Sequence, residues 1–180
     1  MGNFFANLFN KTTQPAKIVM IGLNNAGKTT ILYKMNLGEV IQTAPTTSFN
    51  TEIVEHNNTK FQVWDLAGQK GIRPFWNSYY SGTNAIIFVI DSSDRERLEI
   101  ASEEFQLLLL EEELRLSPIV VLANKQDIEG SMTPEEISDI LKLGEIQGRD
   151  WSIFKTSALK GEGLEDAFTW LAKCLESKSN

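Results

Sequence analysis

The stretch Gly22-Leu23-Asn24-Asn25-Ala26-Gly27-Lys28-Thr29 limits what this chain can fold into more than any other. It fits the spacing G-x-x-x-x-G-K-[ST] and stands between an apolar run, Lys17-Ile18-Val19-Met20-Ile21, and a helical segment from Thr29 to Leu37. Strand, glycine loop and helix in that order form a cradle for phosphate. The glycines let the backbone curl, its N–H groups face an anion, Lys28 supplies a cation, and the Thr29 hydroxyl can ligate Mg²⁺.

The rest of the chain alternates in the same way. Phe49 to Glu55 and Lys60 to Leu66 read as two strands joined by a turn at His56-Asn57-Asn58-Thr59, since Asn tolerates positive φ. Ala85 to Asp91, Ile119 to Ala123 and Ser152 to Thr156 read as further strands. Between them a long helix is expected from Arg95 to Arg115, carrying the run Leu107 to Leu110 and an acidic stretch, and stopped by Pro118. Another helix starts at Thr133-Pro134, with Thr as N-cap, and a last one runs from Leu164 to Leu175. Strands alternating with helices imply a mostly parallel sheet covered on both faces, with ligands beyond the carboxyl ends of the strands.

A length of 180 residues suits one domain, and no apolar stretch approaches the ~20 residues that span a bilayer. A net charge of −7 excludes nucleic acid as the expected partner, because binding a phosphate backbone needs a basic surface. A small local phosphate site is unaffected by that balance. The single cysteine, Cys174, is expected as a small buried apolar residue in a reducing cytoplasmic compartment, and His56 as a solvated turn residue.

The base is chosen elsewhere. Asn124-Lys125-Gln126-Asp127 follows a strand, and an aspartate there can accept from both N1–H and N2–H₂ of guanine. Adenine offers no such donor pair, and an unpaired charge rejects the wrong ligand. Asp65-Leu66-Ala67-Gly68-Gln69 follows another strand. Asp65 can hold a metal-bound water, Gly68 can offer N–H to a γ-phosphate, and Gln69 can orient an attacking water. A nucleotide kinase would share the phosphate loop but needs an arginine-rich second phosphate site and a lid. A binding module that has lost its nucleotide would not keep Lys28, Thr29, Thr46, Asp65 and Asp127 together.

These residues resemble the small GTPases, and in detail the Arf/Arf-like family, over nearly the whole chain. Gly27-Lys28-Thr29-Thr30, Asn124 to Asp127, and the block Trp64-Asp65, Gly68-Gln69, Arg73-Pro74, Trp76, Tyr79-Tyr80 carry the likeness. Phe61 to Leu66 and Trp151 to Ala158 look closest to a trans-Golgi Arf-like branch that recruits golgins. The resemblance implies the small G-protein form of the P-loop NTPase fold, with a mostly parallel six-stranded sheet flanked by helices and an N-terminal amphipathic helix. It divides the chain into a membrane and switch helix with linker at 1–15 and a GTP-binding domain at 16–180. Pro45-Thr46 resembles switch I, which makes Thr46 the second hydroxyl on Mg²⁺ beside Thr29, with Asp65 acting through water. Thr156-Ser157-Ala158 resembles the fifth guanine motif, with the Ala158 N–H at O6. The nucleotide site is then Asn24, Asn25, Ala26, Gly27, Lys28, Thr29, Thr30, Thr46, Gly68, Asn124, Lys125, Asp127, Ser157 and Ala158, with Gln69 catalytic. Implied partners are an exchange factor, a GTPase-activating protein, and effectors such as golgins or coat and tether proteins. Five positions depart from the family pattern: Asn24 for Asp, Ala67 for the first of two glycines, and, in Ala44-Pro45-Thr46-Thr47-Ser48-Phe49, Ala44 and Thr47 for Ile and Ser48 for Gly.

At the N-terminus, Gly2 is a candidate for myristoylation, although Ala6 replaces the motif's Ser or Thr. Phe4, Phe5, Leu8 and Phe9 share a helical face. One acyl chain binds membranes only marginally, so this helix supplies the second signal for a peripheral Golgi location. Phe49, Trp64 and Tyr79 match an apolar effector surface in the family, with a wholly buried role the competing expectation.

Overall fold

The computed structural model describes residues 14–40 and 43–178. Six strands form one sheet in the order β2-β3-β1-β4-β5-β6. They are β1 (Ala16–Ile21), β2 (Phe49–His56), β3 (Thr59–Leu66), β4 (Ala85–Asp91), β5 (Ile119–Asn124) and β6 (Trp151–Lys155). Among the described strands, only β2 and β3 pair antiparallel; the other strand pairings are parallel. Among the described residues, four α-helices cover the sheet: α1 (Lys28–Leu37), α2 (Leu98–Leu109), α3 (Pro134–Leu141) and α4 (Leu164–Lys178).

Strand alternation divides the interior into two cores. Val19, Ile21, Ile86, Phe88, Val121 and their neighbours pack beneath α2 and α3. Ile18, Met20, Ile87, Val89, Leu122 and their neighbours pack beneath α1 and α4. This two-sided burial is why β4 reads as a continuous apolar run rather than an alternating one. The order of connections reverses at β1, between β3 and β4. A crevice therefore opens beyond the carboxyl end of β1, where the glycine loop lies.

The β2–β3 turn forms as expected. Asn57 and Asn58 have φ of 49° and 62°, the two positive values a tight two-residue hairpin turn demands. α3 begins with a full capping box. The Thr133 side chain accepts from the Glu136 N–H at 3.2 Å, and the Glu136 carboxylate accepts from the Thr133 N–H at 2.8 Å.

Three expectations are corrected, the last of them, the burial of Cys174, in part. The long helix starts at Leu98, after a turn in which Asp94 accepts from the Arg97 N–H at 3.1 Å, and ends at Leu109. Glu111 is extended, and a short 3₁₀ turn, Glu112–Leu114, follows. Carboxylates are disfavoured at the negative end of a helix, so the acidic stretch ends α2 well before Pro118. His56, expected in solvent, belongs to β2 and shares a 2.8 Å hydrogen bond with Thr169 of α4, its ring near Phe168. Cys174 is half-buried, and burial raises its thiol pKa.

Candidate functional site

The glycine loop is built around contacts that only glycine permits. Gly27 has φ of 98°, and a Cβ there would lie 2.4 Å from Asn124 Nδ2. A Cβ on Gly68, in the loop after β3, would lie 2.3 Å from both Asn24 N and Gly22 O. That closeness joins two loops: the Asn24 N–H donates to Gly68 O at 3.1 Å. Lys28 is 5% exposed and donates to Gly22 O and Leu23 O, both at 3.0 Å. Burial lowers its pKa to about 8 against the opposing pull of Asp65. Together with residues 43–46 and Gln69, the loop encloses a cavity of about 340 Å³ that Thr29 and Thr30 also line.

Three oxygen-bearing side chains meet at its edge. Thr29 Oγ1 donates to Asp65 Oδ2 at 2.5 Å and lies 3.0 Å from Thr46 Oγ1. Asn50 donates to Thr46 Oγ1 at 3.3 Å. Asp65 is fully buried, its Oδ1 has no partner among the described residues, and burial raises its pKa. A buried carboxylate oxygen without a donor, beside two hydroxyls, is a donor set suited to a small hard dication such as Mg²⁺.

The loops after β5 and β6 are tied to the phosphate loop through one amide. Asn124 Nδ2 donates to Ala26 O at 2.9 Å, while its Oδ1 accepts from Ala158 N at 3.0 Å and Thr156 Oγ1 at 3.2 Å. Ser157 Oγ donates to Asp127 Oδ1 at 2.6 Å, which aims an otherwise exposed carboxylate. Lys125, at φ of 64°, pairs with Asp91 at 2.7 Å. One expected contact changes: the Ala158 N–H is already given to Asn124, so a guanine O6 would share it in a three-centre bond.

Phe49, Trp64 and Tyr79 form one cluster. Ring centroids are 5.1 Å apart for Phe49–Trp64, 5.4 Å for Phe49–Tyr79 and 6.1 Å for Trp64–Tyr79. Phe49 is 41% exposed, whereas Trp64 and Tyr79 are half-buried and pack on the α2-side core. The cluster is rooted in the core and open to solvent at Phe49. Gly2, Phe4, Phe5, Leu8 and Phe9 lie outside the described residues.

Several contributors are invisible to motif reading. Arg97 donates to Asn24 O at 3.2 Å and Oδ1 at 3.0 Å, so the amide that replaces the family's aspartate holds a guanidinium. Arg73 donates to Gly68 O at 3.0 Å and pairs with Glu104 at 3.1 Å. Trp76 donates to Ala67 O at 2.9 Å. Ser48 and Ala67, two of the departures, meet directly: the Ala67 N–H donates to Ser48 O at 2.9 Å, extending the β2–β3 ladder by one step. Asp91 could have been found, since it closes β4 at the carboxyl end of a parallel strand. Arg97 left no signal in the sequence.

A sheet whose order reverses at a glycine-lysine-threonine loop, with base-side loops beyond the last two strands, defines the small G-protein class of nucleotide-binding proteins. The model of the ADP-ribosylation factor family matches residues 1–175. Curated relatives include ADP-ribosylation factor-like protein 1 of Drosophila melanogaster, 53% identical over 162 residues and covering 90% of each chain. ADP-ribosylation factor 1 of Brassica rapa subsp. pekinensis is 48% identical over 181 residues, covering 99% of this chain and 100% of that one. Among solved structures, the Arl6 BBS3 small GTPase of Trypanosoma brucei with bound GppNp superposes with a TM-score of 0.84 at 34% identity, covering 91% of this chain and 99% of that one. The chain belongs to the ADP-ribosylation factor family and is a small GTPase, converting GTP to GDP and phosphate.

Proposed function

We propose that the protein is a membrane-recruiting switch that holds effectors on Golgi membranes in its GTP form. The observation that carries this reading is the meeting of Thr46 with Thr29 at Asp65. It brings the segment before β2 down onto the phosphate pocket through the Thr46 hydroxyl. Thr29 and Thr46 would hold Mg²⁺ directly and Asp65 through water; the ion would neutralise phosphate charge. Lys28 would lie on the β- and γ-phosphates, with Gly68 offering its N–H to the γ-phosphate. Asp127, aimed by Ser157, would read guanine. Gln69, exposed at the cavity mouth, would orient the attacking water. Arg73 is engaged with Gly68 O and Glu104, so a partner must supply the cation that speeds hydrolysis.

GTP would keep the segment around Thr46 closed and fix the hairpin that presents Phe49, Trp64 and Tyr79. The hairpin's advance would expel the N-terminal helix, and Phe4, Phe5, Leu8 and Phe9 would enter the bilayer beside a myristoyl group on Gly2. The γ-phosphate supplies the differential affinity that such a population shift requires. The likeness to ADP-ribosylation factor-like protein 1 of several organisms supports the Golgi setting. The test is liposome flotation of acylated protein loaded with GDP or a non-hydrolysable GTP analogue. Recovery with membranes only in the analogue form, lost in Gly2→Ala, is expected. Equal recovery in both states would refute the coupling.

A further inference from the structure

Arg97 stands on the connection between β4 and α2, a segment fixed to the base side of the pocket. The Ser92 N–H donates to Asn124 O at 2.9 Å, the Met132 N–H donates to Ser92 O at 2.8 Å, and Asp91 pairs with Lys125 at 2.7 Å. From this footing Arg97 reaches back to the phosphate loop. Its guanidinium faces two ways: Nε pairs with Asp94 at 2.6 Å, while Nη1 donates to both Asn24 O and Asn24 Oδ1. Both side chains of that ion pair are partly buried, which limits screening by solvent.

Asn24 in turn holds Gly68. Its N–H donates to Gly68 O, and the approach leaves no room for a Cβ on Gly68. Arg73 Nε donates to the same Gly68 O, and Arg73 is anchored by Glu104 of α2. Two guanidiniums, each paired with its own carboxylate, thus fix one contact between the phosphate loop and the loop after β3. Asn24, Gly68 and Gln69 line the same cavity. Thr46 lies against Thr29 in the same arrangement, so the contact belongs to the closed pocket.

We infer that Arg97 is a positioning residue that, through Asn24, sets where Gly68 stands and so favours GTP over GDP. The inference rests on the reading that the Gly68 N–H meets the γ-phosphate. The groups that would hold GDP lie elsewhere: Gly27, Lys28, Thr29 and the loops after β5 and β6. Among the described residues the Arg97 side chain hydrogen-bonds only Asp94 and Asn24. The amide at position 24 matters too. A carboxylate there would accept the same bonds but bring a negative charge beside the γ-phosphate, offset only while Arg97 is present.

The test measures dissociation of fluorescent GDP and of a fluorescent non-hydrolysable GTP analogue from the full chain in Mg²⁺. Arg97→Met keeps the apolar stem and removes the guanidinium. It should speed release of the analogue by about tenfold and of GDP by less than about threefold. Arg97→Lys should behave like Arg97→Met, because one ammonium cannot span Asp94 and Asn24 as the fork does. Asn24→Asp should speed analogue release by less than about threefold alone, and by about tenfold or more when added to Arg97→Met. Additive effects of those two changes, or equal acceleration of GDP and the analogue, overturn the inference, since an Arg97 that merely braces the fold gives both. Thr46→Ala in the same assay separates the inference from the reading beneath it. A changed GTP preference in Thr46→Ala with none in Arg97→Met overturns the inference alone. No change in either overturns the phosphate reading with it.

Discussion

The base side and the phosphate side of the pocket are built in opposite ways. Beyond β5 and β6 nearly every loop group is committed: Asn124 spans three segments, Asp127 is aimed by Ser157, Lys125 by Asp91, and Gln126 donates to Met132 O at 2.7 Å. Over the phosphates, residues 43–50 are held by the Thr46 hydroxyl, by Asn50 and by the single rung from Ala67 to Ser48. Much of that segment is exposed. On the proposed reading, a preformed base site would bind guanine in either nucleotide state. A phosphate cap with few bonds of its own would be held closed chiefly by the bonds a ligand adds, and on the proposed reading that difference lets a tight binder also act as a switch.

The comparison can be broken by substitution. The largest effect should come from Gln69→Leu on the open side. Hydrolysis stimulated by an activating protein should fall by about 10³-fold or more while GTP affinity holds, measured by single-turnover phosphate release. Normal stimulated turnover would remove Gln69 from the chemistry. On the preformed side, Asp127→Asn should weaken GDP by roughly 10³-fold and improve xanthosine diphosphate, read by calorimetric titration. Asn124→Ala strands the Ala158 N–H and Ala26 O together, and should cost about 2–4 kcal/mol in the nucleotide-free protein by urea denaturation. Thr46→Ala should leave that stability nearly unchanged and shift only the GTP-to-GDP preference, by about tenfold or one charge-assisted contact. Equal behaviour of the Asn124 and Thr46 variants would erase the contrast.

The smallest effect is one of pH. Buried Lys28 has a folded pKa near 8, below its ordinary 10.5. Above pH 8 the unfolded chain therefore holds more protons than the folded one, and nucleotide-free stability should rise from about pH 8 to 10.5. Phosphate restores the proton, so GDP affinity should fall by a few-fold between pH 8 and 9. Calorimetry in buffers of different ionisation enthalpy should show proton uptake, which Lys28→Arg abolishes.

The parts legible in the sequence share a property: their chemistry is fixed by spacing along the chain. The phosphate loop, the Asn124–Asp127 turn, the Asn57-Asn58 hairpin and the Thr133 cap each act within a few residues. What escaped reading depends on partners far away. His56 finds Thr169 across the fold, Arg97 finds Asn24, and the Ala158 N–H finds the Asn124 side chain before any base. The end of α2 was misplaced because helix periodicity in the leucine run outweighed the end-charge penalty of three glutamates.

The mixed direction of the sheet also bears on the order in which the chain acquires its shape. The β2–β3 hairpin pairs neighbours across a two-residue turn, so it can form as soon as those residues exist. The other pairings between described strands are parallel and must wait for a crossover connection. The amide that unites the loops joins Ala26 to Asn124 across 98 residues, and then needs Ala158, which follows the last strand. A ribosome-bound chain could therefore own its hairpin early while having nowhere to put a guanine until β6 has emerged and docked. Nucleotide capture is then a late checkpoint of synthesis, and the ligand can stabilise only chains that have been made almost to the end.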